Sequence, residues 1–198
     1  MSQTLAFINR LQALKEGERS RLRRLAGQPL DKTLEGFDLF SGLWWPLRQA
    51  SPVAPRRETS WLIAKLHGDF GSSVPHVRPT DGHGPVLAAV LGLCEPQDPP
   101  EFKGRDRFRI RFDTILCSSL SNIEMPLRWA LDQIARAVAG RISHERGVRG
   151  IDWAQLLDDL SIWDRSEEHR RHRDIRDLWA EQYLNPTDHQ AQGAGHAD

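Results

Sequence analysis

His169 and His172 stand three residues apart, with Asp164, Glu167, Glu168 and Asp174 around them. Imidazoles and carboxylates are the ligands of a catalytic divalent metal, and a stand-alone helical metal-dependent nuclease or hydrolase is the chemistry this cluster would support. A zinc site needs three or four convergent ligands, however, and neither Cys94 nor Cys117 lies near in sequence. The segment DRSEEHRRHRD reads equally as a solvated, charged stretch. Asp158 and Asp159 are adjacent, so on a helix they point about 100° apart and do not form an acid–base pair. One is expected to face solvent and the other to cap a helix or pair with an arginine. Cys94 and Cys117 lack a neighbouring His or activating motif, which predicts buried structural cysteines. Gly82 and Gly84 neither follow a strand nor open a helix, so no P-loop or dinucleotide fingerprint is present and no cofactor is indicated.

Arginine is the other chemistry on offer. Of 27 cationic side chains, 23 are Arg and 4 are Lys. A guanidinium grips phosphate or carboxylate through two parallel hydrogen bonds and stacks on aromatic faces. Net charge is zero, yet its distribution is uneven: residues 1–57 carry an excess of +5 and residues 101–150 of +4, against −3 for 58–100 and −6 for 151–198. The clusters are Arg19/Arg21/Arg23/Arg24, Arg56/Arg57, Arg105/Arg107/Arg109/Arg111 and Arg165/Arg170/Arg171/Arg173. On helices, such clusters can follow a phosphate backbone without reading bases. The alternative is a solvated surface of ion pairs, since several of these arginines have an acid three or four residues away.

The elements that carry these residues read as helices. Leu5, Ile8, Leu11 and Leu14 recur at helical spacing up to Gly17, and Ser20 to Ala26 follows as a short helix stopped by Gly27 and Pro29. FDLFSGLWW is a short aromatic segment that Pro46 should halt. Thr59 or Ser60 can cap WLIAKLHG. Residues 69–85 are rich in Gly, Ser and Pro and read as a loop, VLAAVLGLC as a short apolar helix, and EPQDPPEFKG as a break.

RDRFRIRFDTIL is ambiguous, because Arg107, Arg109 and Arg111 alternate with Phe108, Ile110 and Phe112 as in a strand. Phe108, Phe112 and Ile115 also share one helical face, and no neighbouring strand is available, so helix is the expectation. Asn122 should cap a helix with the stripe Leu127, Leu131, Ile134 and Val138. Asp152 and Gln155 suggest a capping-box start to a helix whose inward face is Trp153, Leu156, Leu157, Leu160 and Trp163. A last helix ends before Asn185 and Pro186, and the polar tail beyond it should be disordered.

The expected architecture is all-α: two small helical bundles joined by loops, without a significant sheet. Residues 1–94 form the N-terminal part, 103–184 the C-terminal part and 185–198 the tail. At 39% hydrophobic and 27% charged, the chain has the profile of a globular protein. No apolar run nears the ~20 residues of a membrane span, and the first residues carry no signal-peptide core. With two cysteines only, a reducing cytoplasm is expected.

These residues resemble a family. The block IDWAQLLDDLSIWDR…RDLWAEQYL is similar to the signature of the CasB family, the small subunit of the type I-E CRISPR surveillance complex Cascade. Ile151-Asp152-Trp153 matches its hydrophobic–Asp–aromatic start, Leu156 to Trp163 its Leu-rich helix ending in Trp, and Trp179-Ala180-Glu181-Gln182-Tyr183 its final helix. Upstream, RFRIRFDTILCSSLSNIEMPLRWAL resembles the family's paired helices, with Leu127, Arg128 and Leu131 in its Leu-Arg-x-x-Leu segment. GERSRLRRLAG resembles the helix bearing an Arg pair, here Arg23 and Arg24, and Pro55-Arg56 before WLIAKL matches a basic helix opening. The likeness spans roughly residues 5–184.

The resemblance implies an all-helical, non-enzymatic subunit that works beside the CasC backbone, the CasA large subunit and a second copy of itself. It implies binding of CRISPR RNA and target DNA through basic residues that hold the R-loop and displaced strand. The residues that would do so are Arg23, Arg24, Arg56, Arg57, Arg105, Arg107, Arg128 and Arg165. The turn from Cys117 to Asn122, which in the family can carry a basic residue, carries none here, which turns attention to Arg105, Arg107 and Arg128.

Overall fold

Ten consecutive residues, Thr59 to Gly68, are buried in one helix, α4 (Arg57–Phe70), including Lys65 and His67. A helix buried on every side is a core element with neighbours all round it. The computed structural model describes residues 3–28, 37–50, 55–79, 84–97, 103–140, 145–164 and 174–186. Among them lie nine α-helices and no strand, which makes the fold all-α as the periodicity predicts. None of the described helices is long and apolar enough to cross a membrane.

By their contacts the residues form two compact units, Met1–Ser72 with Trp153–Ile162, and Ser73–Asp152 with Trp163–Asp198. This partition differs from a cut at residues 94–103. The apolar helix after Pro85 belongs with the second unit, and the helix opened by Trp153 returns to the first.

The first unit sets α1 (Gln3–Gln12), α2 (Glu16–Arg24), α3 (Phe37–Ala50) and α8 (Trp153–Ser161) against α4. Phe7, Ile8 and Leu11 of α1, Leu22 of α2 and Leu156, Leu157 and Leu160 of α8 are all buried. Gly68 lets α2 come close, because a Cβ there would stand 2.9 Å from the Leu22 Cβ. The buried Lys65 ammonium donates to the Gln28 carbonyl at 3.0 Å and lies 5.7 Å from the centre of the Trp61 ring. Trp61 Nε1 donates to the same carbonyl.

Two sequence expectations fail here for physical reasons. Pro46 does not halt α3, which continues to Ala50. An interior proline costs a helix roughly 3 kcal/mol, but Phe40, Leu43 and Leu47 form a buried stripe that spans it, and that packing holds the helix together. Thr59 and Ser60 do not cap α4. The helix starts at Arg57, ahead of both, with Arg56 at its N-cap and no side-chain cap hydrogen bond, and both hydroxyl residues are fully buried inside it.

The second unit holds α5 (Leu87–Leu93), α6 (Gly104–Leu116), α7 (Glu124–Ala139) and α9 (Ile175–Leu184). α5 packs on α9 and α7, and α6 packs on α7 and α9. The ambiguous arginine-rich stretch is α6. Phe108, Phe112 and Ile115 are buried, whereas Ile110, which a strand would place on the face of Phe108 and Phe112, is 66% exposed. Phe112 stacks on Tyr183 with ring centroids 4.0 Å apart, and Phe108 meets Trp129 edge to face at 5.0 Å. Asn122 does not cap α7. Ile123 holds the N-cap position without a side-chain cap, because Ile123 is itself drawn fully into the core. Val138 is only half-buried, and Ala130 and Ala137 complete the inward face instead.

A short backbone pairing pins the loop before α5. Val77 N donates to Ile151 O at 2.9 Å and Ile151 N to Pro75 O at 3.1 Å, a single parallel bridge. Gly150 makes this approach possible: its φ is +147°, and a Cβ would collide with Pro75 O. Of the tail, only Asn185 and Pro186 are among the described residues.

Candidate nucleic-acid interface

The residues considered for catalysis take other positions. His169, His172, Glu167 and Glu168 lie outside the described residues. Asp164 accepts from the Leu120 amide at 2.7 Å and from Arg176 Nη2 at 3.0 Å, and Asp174 caps α9 by accepting from the Arg176 amide. Among the described residues, no group of three or more His, Cys, Asp or Glu could hold a metal. Asp158 is exposed and accepts from Thr4 Oγ1 at 3.3 Å, while Asp159 is buried and accepts from Gln155 Nε2 at 2.7 Å. Cys94 is buried, and burial pushes its thiol up to about 12. Cys117, expected to be buried, is exposed at the end of α6, where the helix turns out of the core.

The candidate arginines of the first unit, Arg23, Arg24, Arg56 and Arg57, fall toward the two ends of α4. Arg23 leaves α2 beside the C-terminal end of α4: its Nε donates to Gly68 O at 3.3 Å and lies 3.9 Å from Asp69 Oδ1, and its Nη2 pairs with Glu16 Oε1 at 3.2 Å. Arg24 is exposed on the same turn. Arg56 and Arg57 are exposed at the N-terminus of α4. At 14 residues that helix is about 21 Å long, so the two pairs do not make one cluster. The positive end of the α4 dipole adds to the charge of Arg56 and Arg57.

In the second unit, Arg105 and Arg107 are exposed on α6 and Arg128 is half-buried on α7. Arg165 lies outside the described residues. Helical spacing sorts the α6 arginines by face. Arg107 and Arg111 share one side, where Arg111 covers the Trp129 ring at 5.7 Å. Arg105 and Arg109 share another, where both pair with Glu95. Arg109 Nε reaches the two Glu95 oxygens at 3.1 and 3.3 Å, and Tyr183 Oη donates to Glu95 Oε2 at 2.7 Å. Burial pushes the Glu95 carboxyl up, but the hydrogen bonds from Tyr183, Arg105 and Arg109 outweigh it and hold the group below its ordinary range. Burial, with the bond to Glu95, raises the Tyr183 phenol.

These residues line a cleft of about 370 Å³ that also includes Gly92, Gln97 and Arg146. Of its cations, the resemblance points to Arg105, Arg109 shares the same arginine cluster in the sequence, and Arg146 stands outside the clusters. The i, i+4 spacing of Arg105 and Arg109 was the available signal for a shared face. Nothing local marked Glu95, Arg146 or Tyr183, which reach the cleft from other segments.

Comparison with known proteins places this architecture. Residues 18–184 match the family model described as CRISPR-associated protein Cse2. The chain is similar to a crystal structure of a Cse2-family CRISPR-associated protein from Thermus thermophilus, with 24% identity, a TM-score of 0.60 and 92% of this chain and 96% of that one covered. It is also similar to the crystal structure of M. ruber CasB, with 17% identity, a TM-score of 0.65 and 97% and 98% covered. For a structure described as CasB from Thermus thermophilus the identity is 24%, the TM-score 0.59 and the coverage 92% and 96%. Among functionally curated proteins no similar sequence is found. These similarities in structure speak for the fold, and the match over most of the chain speaks for descent: the chain belongs to the Cse2 (CasB) family of CRISPR-associated proteins.

Proposed function

We propose that the chain is a non-catalytic small subunit of a type I-E Cascade complex. In that role it lies against the CasC backbone and the CasA large subunit, beside a second copy of itself. Its arginines hold the phosphate backbone of the guide–target R-loop and displaced strand. The observation that carries the reading is the family match across residues 18–184. The charge distribution supports it, since the excess of cations falls in residues 1–57 and 101–150 and is almost wholly arginine. So does the exposure of Arg24, Arg56, Arg57, Arg105 and Arg107. In an RNA-guided complex, base pairing carries the sequence information, so a small subunit need only grip backbone.

The test is target-DNA binding by reconstituted Cascade at several salt concentrations, with a combined Arg23→Ala, Arg24→Ala and Arg56→Ala variant. Each lost phosphate contact should lower the salt slope by roughly 0.7–0.9, with guide-sequence preference unchanged. Arg136, paired within its own helix to Asp132 at 2.7 Å, is the control. A variant that assembles normally and holds the R-loop with an unchanged slope overturns the assignment.

A further inference from the structure

The cleft between α5, α6 and α9 holds three guanidinium groups, Arg105, Arg109 and Arg146, and one carboxylate, Glu95. Its formal charge is therefore +2. The carboxylate is the buried member: the Glu95 side chain is 11% exposed, against 58% for Arg105 and 45% for Arg109. Every hydrogen bond that these two arginines make to Glu95 runs through Nε. The outer edge of each guanidinium, where Nη1 and Nη2 present two parallel donors, is not spent on the carboxylate. That edge matches two oxygens of one phosphate. Arg146 is fixed differently, its Nη1 donating to Leu93 O at 2.6 Å and Glu95 O at 3.1 Å. Tyr183 completes the support by donating to Glu95.

Glu95 thus holds two arginines through Nε and leaves their Nη donors off the carboxylate, in a cleft that keeps two positive charges in excess. We propose that this cleft binds the sugar–phosphate backbone of a single nucleic-acid strand, with Arg105, Arg109 and Arg146 contacting the phosphates and Glu95 and Tyr183 as positioning residues. The volume of about 370 Å³ lies at the small end of ligand sites, which run from about 300 to 1,000 Å³. It admits one nucleotide unit of a strand and excludes a duplex. A strand with one charge per phosphodiester places two charges against the cleft by spanning it with consecutive phosphates. This assignment rests on the nucleic-acid reading above and names a seat for the strand that uses Arg109 and Arg146.

The test is binding of a short fluorescent oligothymidylate to the full chain, followed by anisotropy across a salt series. Arg109→Gln with Arg146→Gln should weaken binding and lower the salt slope by roughly 0.7 for each lost contact. Because Arg146 also braces two carbonyls, Arg109→Gln alone, with its fold checked by circular dichroism, provides the second measurement and should lower the slope by half as much. Inorganic phosphate and pyrophosphate form the competing arm. If they occupy the cleft while the two variants leave oligothymidylate binding unchanged, the cleft takes free phosphate and the proposal is overturned. If the variants bind the strand as the unmodified chain does while the Arg23, Arg24 and Arg56 variant binds less, the cleft assignment falls and the general reading stands. Loss in the cleft variants together with no effect of the triple variant upholds the cleft and takes the strand away from those three arginines.

Discussion

Trp163 and Trp179 meet edge to face in the second unit, their ring centroids 4.9 Å apart and their planes at 65°. Both rings are fully buried, Trp163 Nε1 donates to Ser118 O at 2.9 Å, and the Arg176 guanidinium covers the Trp163 face at 5.1 Å. The family-like signature residues are thus divided between two cores. Trp153, Leu157 and Leu160 are buried in the first unit, where His67 meets Trp153 edge to face at 5.2 Å, and Trp179 is buried in the second. A single stretch of signature sequence serves two packing problems, because α8 belongs to the first unit and α9 to the second.

From this geometry, Trp179→Ala should destabilise the protein by about 3–5 kcal/mol, the usual loss for a fully buried indole. A double-mutant cycle with Trp163→Ala should return a coupling of about 0.5–1.5 kcal/mol for the ring pair beyond area burial. Urea unfolding of the unmodified chain, the two single variants and the double variant measures both quantities. Additive single losses would show that the edge-to-face contact contributes nothing of its own.

The helices were legible where a periodic stripe coincided with real burial. In α6, the spacing of Phe108, Phe112 and Ile115 outweighed the alternation of arginines, because only a helix buries all three side chains on one side. The failures share a cause in tertiary packing. Pro46 is a local stop signal overridden by the buried Leu43 and Leu47 on either side of it, and Thr59–Ser60, a local start signal, is drawn into the buried run of α4. The exposure of the arginines followed from their charge, but their grouping did not. Arg105 and Arg109 share Glu95, from the loop after α5, and Tyr183, from α9. Contacts between segments so far apart in the chain leave no local pattern to read.

His76 supplies a pH dependence. Its side chain is 1% exposed, its Nδ1 lies 3.8 Å from Asp152 Oδ1, and its pKa is lowered from 6.5. Burial is the largest cause, reinforced by Arg78 and opposed by Asp152 and by the hydrogen bond with Ile151. The unfolded chain therefore binds a proton at higher pH than the folded chain does. The stability contributed by neutral His76 is fully present above pH ~6.5 and is lost as pH falls through the lower folded-state value. Urea midpoints measured from pH ~7.5 down to ~5 should decline, and His76→Gln should flatten that part of the profile. A His76→Gln variant with the same slope over this range would assign the dependence to other groups.

Arg56 sits where helix stability and anion binding pull in opposite directions. It occupies the N-cap of α4 with φ −58° and ψ 140°, makes no side-chain cap hydrogen bond, and is exposed. A cation at the positive end of a helix dipole is unfavourable, by about 0.3–1 kcal/mol in exposed positions. Serine in the same backbone conformation can accept from a first-turn amide, which is worth about 1 kcal/mol relative to an uncapped end. Arg56→Ser should therefore raise stability by roughly 1–2 kcal/mol, read as a higher urea midpoint with an unchanged m value. The same substitution removes one phosphate contact from the proposed interface, so the salt slope of target binding should fall by roughly 0.7–0.9. Arg56→Lys separates the two effects: it keeps the charge, gains no cap, and should leave both stability and slope near their starting values. A serine variant that is more stable and binds with an unchanged slope would show that Arg56 faces solvent alone, and that its charge costs the helix without serving the strand.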